Sequence, residues 1–173
     1  MTTETQPQTQ SRTTTNPADP NTPTDFASLA AQPIGYWSWI AHTAVLRHLR
    51  GAMARVDIAQ PQWWVLNQVD RAAEAGLTRE QIRDNLRLVL DVGADTIVQA
   101  TDGLLARGWL TDDAEGFLHL TDAGREAKAR TKEVVDRVRA EVHAGITDEE
   151  YVAALKVLQR MVSNVGGIGA LTI

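Results

Sequence analysis

The chain contains no cysteine. That excludes a disulfide framework and any thiolate-bound metal. No run of about 18 apolar residues occurs, so no transmembrane helix is expected. The N-terminus lacks a basic start followed by an apolar core, so a secretory signal is not expected and the cytoplasm is the default location. No nucleophile elbow, P-loop or dinucleotide fingerprint is present. The four histidines, His42, His48, His119 and His143, include no i, i+4 pair. No catalytic residue, metal or cofactor is therefore assigned, and the chain reads as a binding protein rather than an enzyme.

What is present is organised by helical periodicity. Residues 1–25 are rich in Thr, Gln, Asn and Pro, and no aromatic precedes Phe26. Such a segment cannot bury enough apolar surface to offset its ordering entropy and reads as a disordered tail. From Pro33, Ile34, Trp37, Ala41, Val45, Leu49, Ala52 and Val56 recur at three- and four-residue steps, the signature of a helix. A second helix is predicted from Pro61, with Val65, Val69 and Ala72 inward and Gly76 as its stop. Thr78-x-x-Gln81 is a capping box opening a short helix with Ile82 and Leu86 inward. The next helix is predicted from about Gly93 to Arg107, with Ile97, Ala100 and Leu104 inward and Gly108 just past its end.

The period then changes. Trp109-Leu110-Thr111 and Phe117-Leu118-His119-Leu120 flank the polar turn 112–116, which reads as a β-hairpin. Thr121 caps a long helix to about Ala144. Thr147-x-x-Glu150 is a second capping box and opens a last helix with Tyr151, Leu155, Leu158, Val162 and Val165 on one stripe. The glycines around Ile168 read as a loose end. The expected fold is mainly α with a small β-hairpin wing: a winged helix-turn-helix at 59–121, a preceding helical region at 26–58 and terminal helices at 122–173. The apolar stripes of the outer helices predict a homodimer.

Gly103-Leu104-Leu105-Ala106-Arg107-Gly108-Trp109-Leu110, followed after the hairpin by Leu120-Thr121-Asp122-Ala123-Gly124-Arg125, resembles the MarR family of bacterial regulators. The resemblance spans roughly residues 33–165. It implies a two-fold dimer through the terminal helices, a recognition helix in each of two major grooves of double-stranded DNA, and a wing at the minor groove. It also implies a small aromatic effector in a cleft. On that reading Thr96 and Gln99 face base edges, glutamine being suited to adenine, while Arg83, Arg87 and Arg107 hold the phosphate backbone. Trp37, Trp39, His42, Trp63 and Trp64, with Tyr36, form an aromatic cluster that either packs in the core and dimer interface or lines the ligand pocket.

The sequence also departs from that family. Gln99 stands about where the family has an arginine, and the wing turn carries Asp112, Asp113 and Glu115 without a cation. From Gly76 to Leu120 there are four arginines against eight acids, although phosphate neutralisation dominates affinity for DNA. Arg125, Lys128, Arg130 and Lys132 form the densest basic cluster and are candidates for phosphate contact or plain solvation. Two functions remain open: a ligand-responsive, DNA-binding transcriptional regulator, or a chain that keeps the scaffold without ordinary DNA binding. The second would be a small-molecule-binding protein or an enzyme of specialised metabolism.

Overall fold

The computed structural model describes residues 26–89 and 93–167, and the predicted tail lies outside them. The chain divides at Ile40 into two units. The first contains α1 (Phe26–Ala30) and the opening of α2 (Ile34–Ala54). No periodicity marks α1, whose five residues are too few for a helical period to register. Within this unit Trp37 is half-buried, its indole N–H donates to the Gln32 side chain, and its ring meets Tyr36 edge-on at 5.7 Å. Trp39 is 62% exposed.

The second unit holds the remainder of α2, then α3 (Gln60–Ala72), β1 (Leu77–Thr78), α4 (Arg79–Val89), α5 (Ala94–Ala106), β2 (Leu110–Asp112), β3 (Phe117–Leu120), α6 (Asp122–Val142) and α7 (Asp148–Asn164). Its core is one cluster. Met53 and Ile58 meet Val65, Leu66 and Val69 of α3, Ile82 and Leu86 of α4, Ile97, Ala100 and Leu104 of α5, and Leu110 and Leu118 of the sheet. Helical spacing predicts all of these positions in α3, α4 and α5 except Leu66, while Ala72, predicted inward, is only partly buried. Apolar burial of this kind drives the assembly of short helices that would be marginal alone.

The expected hairpin is a three-stranded antiparallel sheet in the order β1-β3-β2. Leu77 pairs with Leu118 and Thr78 with Phe117, while Leu110 pairs with Leu120. Two residues carry no alternation, so β1 left no pattern to read. Its entry depends on Gly76, which has φ +63 and sits so close to β3 that a Cβ would lie 2.7 Å from the His119 ring. The Thr78–Gln81 capping box then forms as predicted: the Gln81 side chain accepts from the Thr78 N–H at 2.9 Å and the Thr78 hydroxyl from the Gln81 N–H at 3.2 Å.

The Leu120–Arg125 motif is a junction. Thr121 accepts the Gly124 N–H at 3.0 Å and donates its hydroxyl to the Gly108 carbonyl at 2.7 Å. The Thr121 N–H donates to the Trp109 carbonyl at 3.2 Å, and Arg125 donates to the Leu120 carbonyl at 2.7 Å. The start of α6 is thereby tied to the segment that ends α5. Gly124 is required by that close approach, because a Cβ there would lie 2.0 Å from the Trp109 carbonyl oxygen.

The last helix starts well and is covered by nothing within the described chain. Thr147 and Glu150 form a reciprocal capping box. Tyr151 stacks on His143 with centroids 4.4 Å apart. Beyond that turn, Val152, Leu155, Val157, Leu158, Met161 and Val162 are all exposed, and Val165 is 86% exposed.

Replacing Gly124 by Ala is expected to cost about 1–3 kcal/mol of stability through overpacking against backbone that cannot yield. Denaturant unfolding measures this, and a cost below about 0.5 kcal/mol, the level of a neutral surface change, would contradict the junction.

Candidate nucleic-acid interface and adjoining cavity

Helix α5 is fixed in rotation by its buried side. Ile97, Ala100, Thr101 and Leu104 face the core, and the Thr101 hydroxyl is satisfied by the Ile97 carbonyl at 2.9 Å. The opposite side therefore presents Asp95, Thr96, Val98, Gln99 and Asp102 to solvent. Thr96 and Gln99 are exposed, as base-reading residues must be. Val98, which the sequence reading did not single out, is 45% exposed beside them and suits an apolar contact such as a thymine methyl.

Three of the five arginines of this module are engaged by acids. Arg79 of α4 pairs with Asp102 of α5. Arg83 lies 3.0 Å from Asp84 and 3.2 Å from Glu80. Those contacts, the Asp84 hydrogen bond first, hold its guanidinium still more firmly in the charged form. Arg107 places one guanidinium nitrogen 2.5 Å from the Asp57 carboxylate and donates from the other to the Asp57 carbonyl at 2.6 Å. It also stacks 3.8 Å over the Trp109 ring. The side chain of Arg87 lies outside the described residues, as does Asp91. In the basic cluster, Arg125 pairs with Asp122, Lys128 with Asp70, Arg130 with Glu126 and Lys132 with Asp136.

The wing is short and internally closed. Asp113 accepts from the Phe117 N–H at 2.9 Å and the Glu115 N–H at 3.0 Å, and its other oxygen lies 3.1 Å from Nε2 of His119. Asp112 and Glu115 are exposed beside it. Residues 59–121 hold ten acids and five arginines, so this module carries the whole net charge of -5.

Neither a family model nor a curated protein matches the sequence. Solved structures do match. Wild-type MarR from E. coli is 25% identical, with 76% of this chain and 97% of that one covered and a TM-score of 0.56. A MarR-family protein of Mycobacterium tuberculosis, solved in complex with DNA, is 18% identical over 79% of this chain and 99% of its own, with a TM-score of 0.59. A MarR-family transcriptional regulator from Rhodococcus sp. is 21% identical over 74% and 92%, with a TM-score of 0.61. The fold is that of the MarR family.

Within this MarR fold the aromatic candidates take different places. Trp37 and Trp39 belong to the first unit. His42, on α2 in the second, is exposed. Trp63 and Trp64 are half-buried against the core, and Lys128 Nζ lies 5.9 Å from the Trp63 ring centroid. Trp64 also lines a cavity of about 600 Å³, together with Arg50, Ala54, Asp57, Ile58, Gln60, Pro61, Gln62, Thr96 and Arg107. Arg50, Asp57 and Gln60 were not picked out by sequence reasoning. Asp57 is non-glycine with φ +57, and Gln60 is a buried polar side chain at 7% exposure. Neither property has a periodic signature. Among the described residues, no helix is long and apolar enough to cross a membrane.

The Asp113 carboxyl is held below its ordinary value of 3.8, chiefly by the Phe117 N–H and then by His119. A carboxyl whose pKa is lowered on folding contributes stability above its unfolded pKa and loses it as pH falls through the folded value. The Phe117 amide resonance should therefore report an Asp113 titration whose midpoint lies below the ordinary value of about 4. A midpoint above 4, or an unchanged titration in Asp113→Asn, would contradict this account of the wing.

Proposed function

We propose that this chain is a DNA-binding transcriptional regulator that acts as a homodimer and responds to a small ligand. The observation that carries the reading is the exposed face of α5. Its buried side fixes Thr96 and Gln99 outward on the second helix of a helix-turn-helix, the element that enters the major groove in this architecture. Gln99 has the donor–acceptor pair suited to adenine, and Thr96 can bond to either kind of base edge. The DNA complex of the Mycobacterium tuberculosis protein of this fold supports the same reading.

Dimerisation is supported by α7. A 17-residue helix with no buried residue and a row of exposed Val, Leu and Met side chains needs a partner surface. A second copy supplies an identical stripe. The ligand reading is supported by the cavity beside α5 that Trp64 lines. A second reading, a scaffold without ordinary DNA binding, is favoured by one observation: the module that should meet phosphates carries ten acids and five arginines.

Two experiments test this. Fluorescence titration of duplexes from the protein's own upstream region should yield a saturable site. Gln99→Ala should weaken it by about tenfold, as the loss of one bidentate base contact does. Asp112→Lys with Asp113→Lys should strengthen binding to all sequences alike, because wing contacts position without reading. Absence of any saturable site, with no gain in the lysine variant, selects the second reading. Separately, Leu158→Asp with Val162→Asp should convert the dimer to monomer or aggregate in light scattering, and a well-folded dimer carrying both changes would refute the interface.

A further inference from the structure

Helix α5 contains no lysine or arginine anywhere along Ala94–Ala106. The commonest specific contact to DNA, an arginine or lysine on guanine O6 and N7, therefore has no donor on this helix. Its outward side offers the carboxylates of Asp95 and Asp102, the Thr96 hydroxyl, the Gln99 amide and one apolar side chain, Val98. Discrimination between bases by α5 falls to that set.

The position of Val98 is set by the core. With Ile97, Thr101 and Leu104 buried, the helical repeat puts Thr96 and Val98 on opposite flanks of the outward face, with Gln99 between them. Thr96 lines the cavity that Trp64 also lines. Val98 lies on the other flank and is 45% exposed. Valine is a weaker helix former than alanine, and here it gains no full burial in return. Its neighbours one turn away are Asp95 before it and Asp102 after it, and Asp102 is held by Arg79 of α4. A branched apolar group framed by carboxylates matches one feature of the major groove, the C5 side of a pyrimidine. Thymine carries a methyl group there, which apolar side chains contact. On cytosine the C5 position adjoins the N4 amino donor, and aspartate accepts from that donor.

We infer that Val98 is a specificity-determining residue that reads the C5-methyl group of a pyrimidine, borne by thymine or by 5-methylcytosine. The methyl is buried against the Val98 side chain when α5 enters the groove. The inference rests on the regulator reading given above and adds to it a contact independent of Gln99. Where the pyrimidine is cytosine, the same contact makes binding responsive to cytosine methylation.

The test uses the full chain and a duplex from its own upstream region that carries a saturable site. Each thymine in turn is replaced by deoxyuridine, and each cytosine by 5-methylcytosine, so that every change is a single methyl group. At one position per half-site, loss of a thymine methyl should weaken binding about fourfold, or gain of a cytosine methyl should strengthen it about fourfold, as burial of one such group does. The first result assigns thymine and the second 5-methylcytosine. Val98→Ala should bind the methylated and unmethylated members of that pair alike. Val98→Thr, which keeps one methyl, should retain part of the difference. Misfolding does not confound the alanine variant, because the side chain is exposed and alanine is the better helix former. Indifference of the unmodified chain to every methyl, or a methyl effect that persists in Val98→Ala, overturns the proposal and leaves the regulator reading in place. Absence of any saturable site overturns both.

Discussion

The outward face of the helix-turn-helix depends on the burial of one side of α5 against α3. Ile97, Ala100 and Leu104 meet the Val65, Leu66 and Val69 face in a single core. The two helices approach closely at Gly103, where an added Cβ would lie 3.2 Å from the Gln62 side chain. Once that face is buried, the helix presents Asp95, Thr96, Val98, Gln99 and Asp102 on its other side. The end of α5 is then fixed by Gly108 in the left-handed region and by the Thr121 hydroxyl on its carbonyl. The same junction sets the start of α6. A single packed face thus fixes the reading surface, the base of the wing and the direction of the long helix.

Electrostatics act on this scaffold in an unexpected direction. Association with DNA gains much of its strength from cations that displace counterions from phosphates. Here Arg79, Arg83 and Arg107 each already face a carboxylate. These pairs are exposed and contribute little to stability, but they reduce the charge presented to a polyanion. On the proposed reading, such a surface would engage DNA more through shape and base-edge contacts than through charge. The cavity lined by Trp64 is the local exception, with two arginines against one aspartate.

Much of this was legible in the sequence. The inward residues of α3, α4 and α5, the Thr78–Gln81 and Thr147–Glu150 capping boxes and the Thr121 cap all follow from periodicity and side-chain chemistry. The acidic balance of the reading head was visible by counting. Other features were not. Strand β1 is two residues long and depends on pairing with β3 across about forty residues of chain, so no local pattern encodes it. Helix α1 is likewise too short for its period to show. Arg107 read as a phosphate contact because its spacing places it at the end of the recognition helix. Its partner within the chain, Asp57, lies 50 positions earlier and is reached only through the fold. The cavity residues Arg50 and Gln60 have the same origin: they meet because the chain turns at Asp57 between α2 and α3, a conformation that sequence spacing does not announce. The role of Gly124 was visible as a motif, but its physical reason, contact with the Trp109 carbonyl, required the structure.

The central claim is that this head, as a DNA-binding element, would make few phosphate contacts because Arg79, Arg83 and Arg107 are internally paired. The salt dependence of affinity for a saturable site tests it most directly. Each phosphate neutralised adds about -0.9 to the slope of log K against log salt concentration. The account predicts a slope shallower than about -5 for the dimer, since a protein with six or more phosphate contacts reaches or exceeds that value. A steeper slope would contradict it and would show that the internal ion pairs open to neutralise phosphates when DNA arrives.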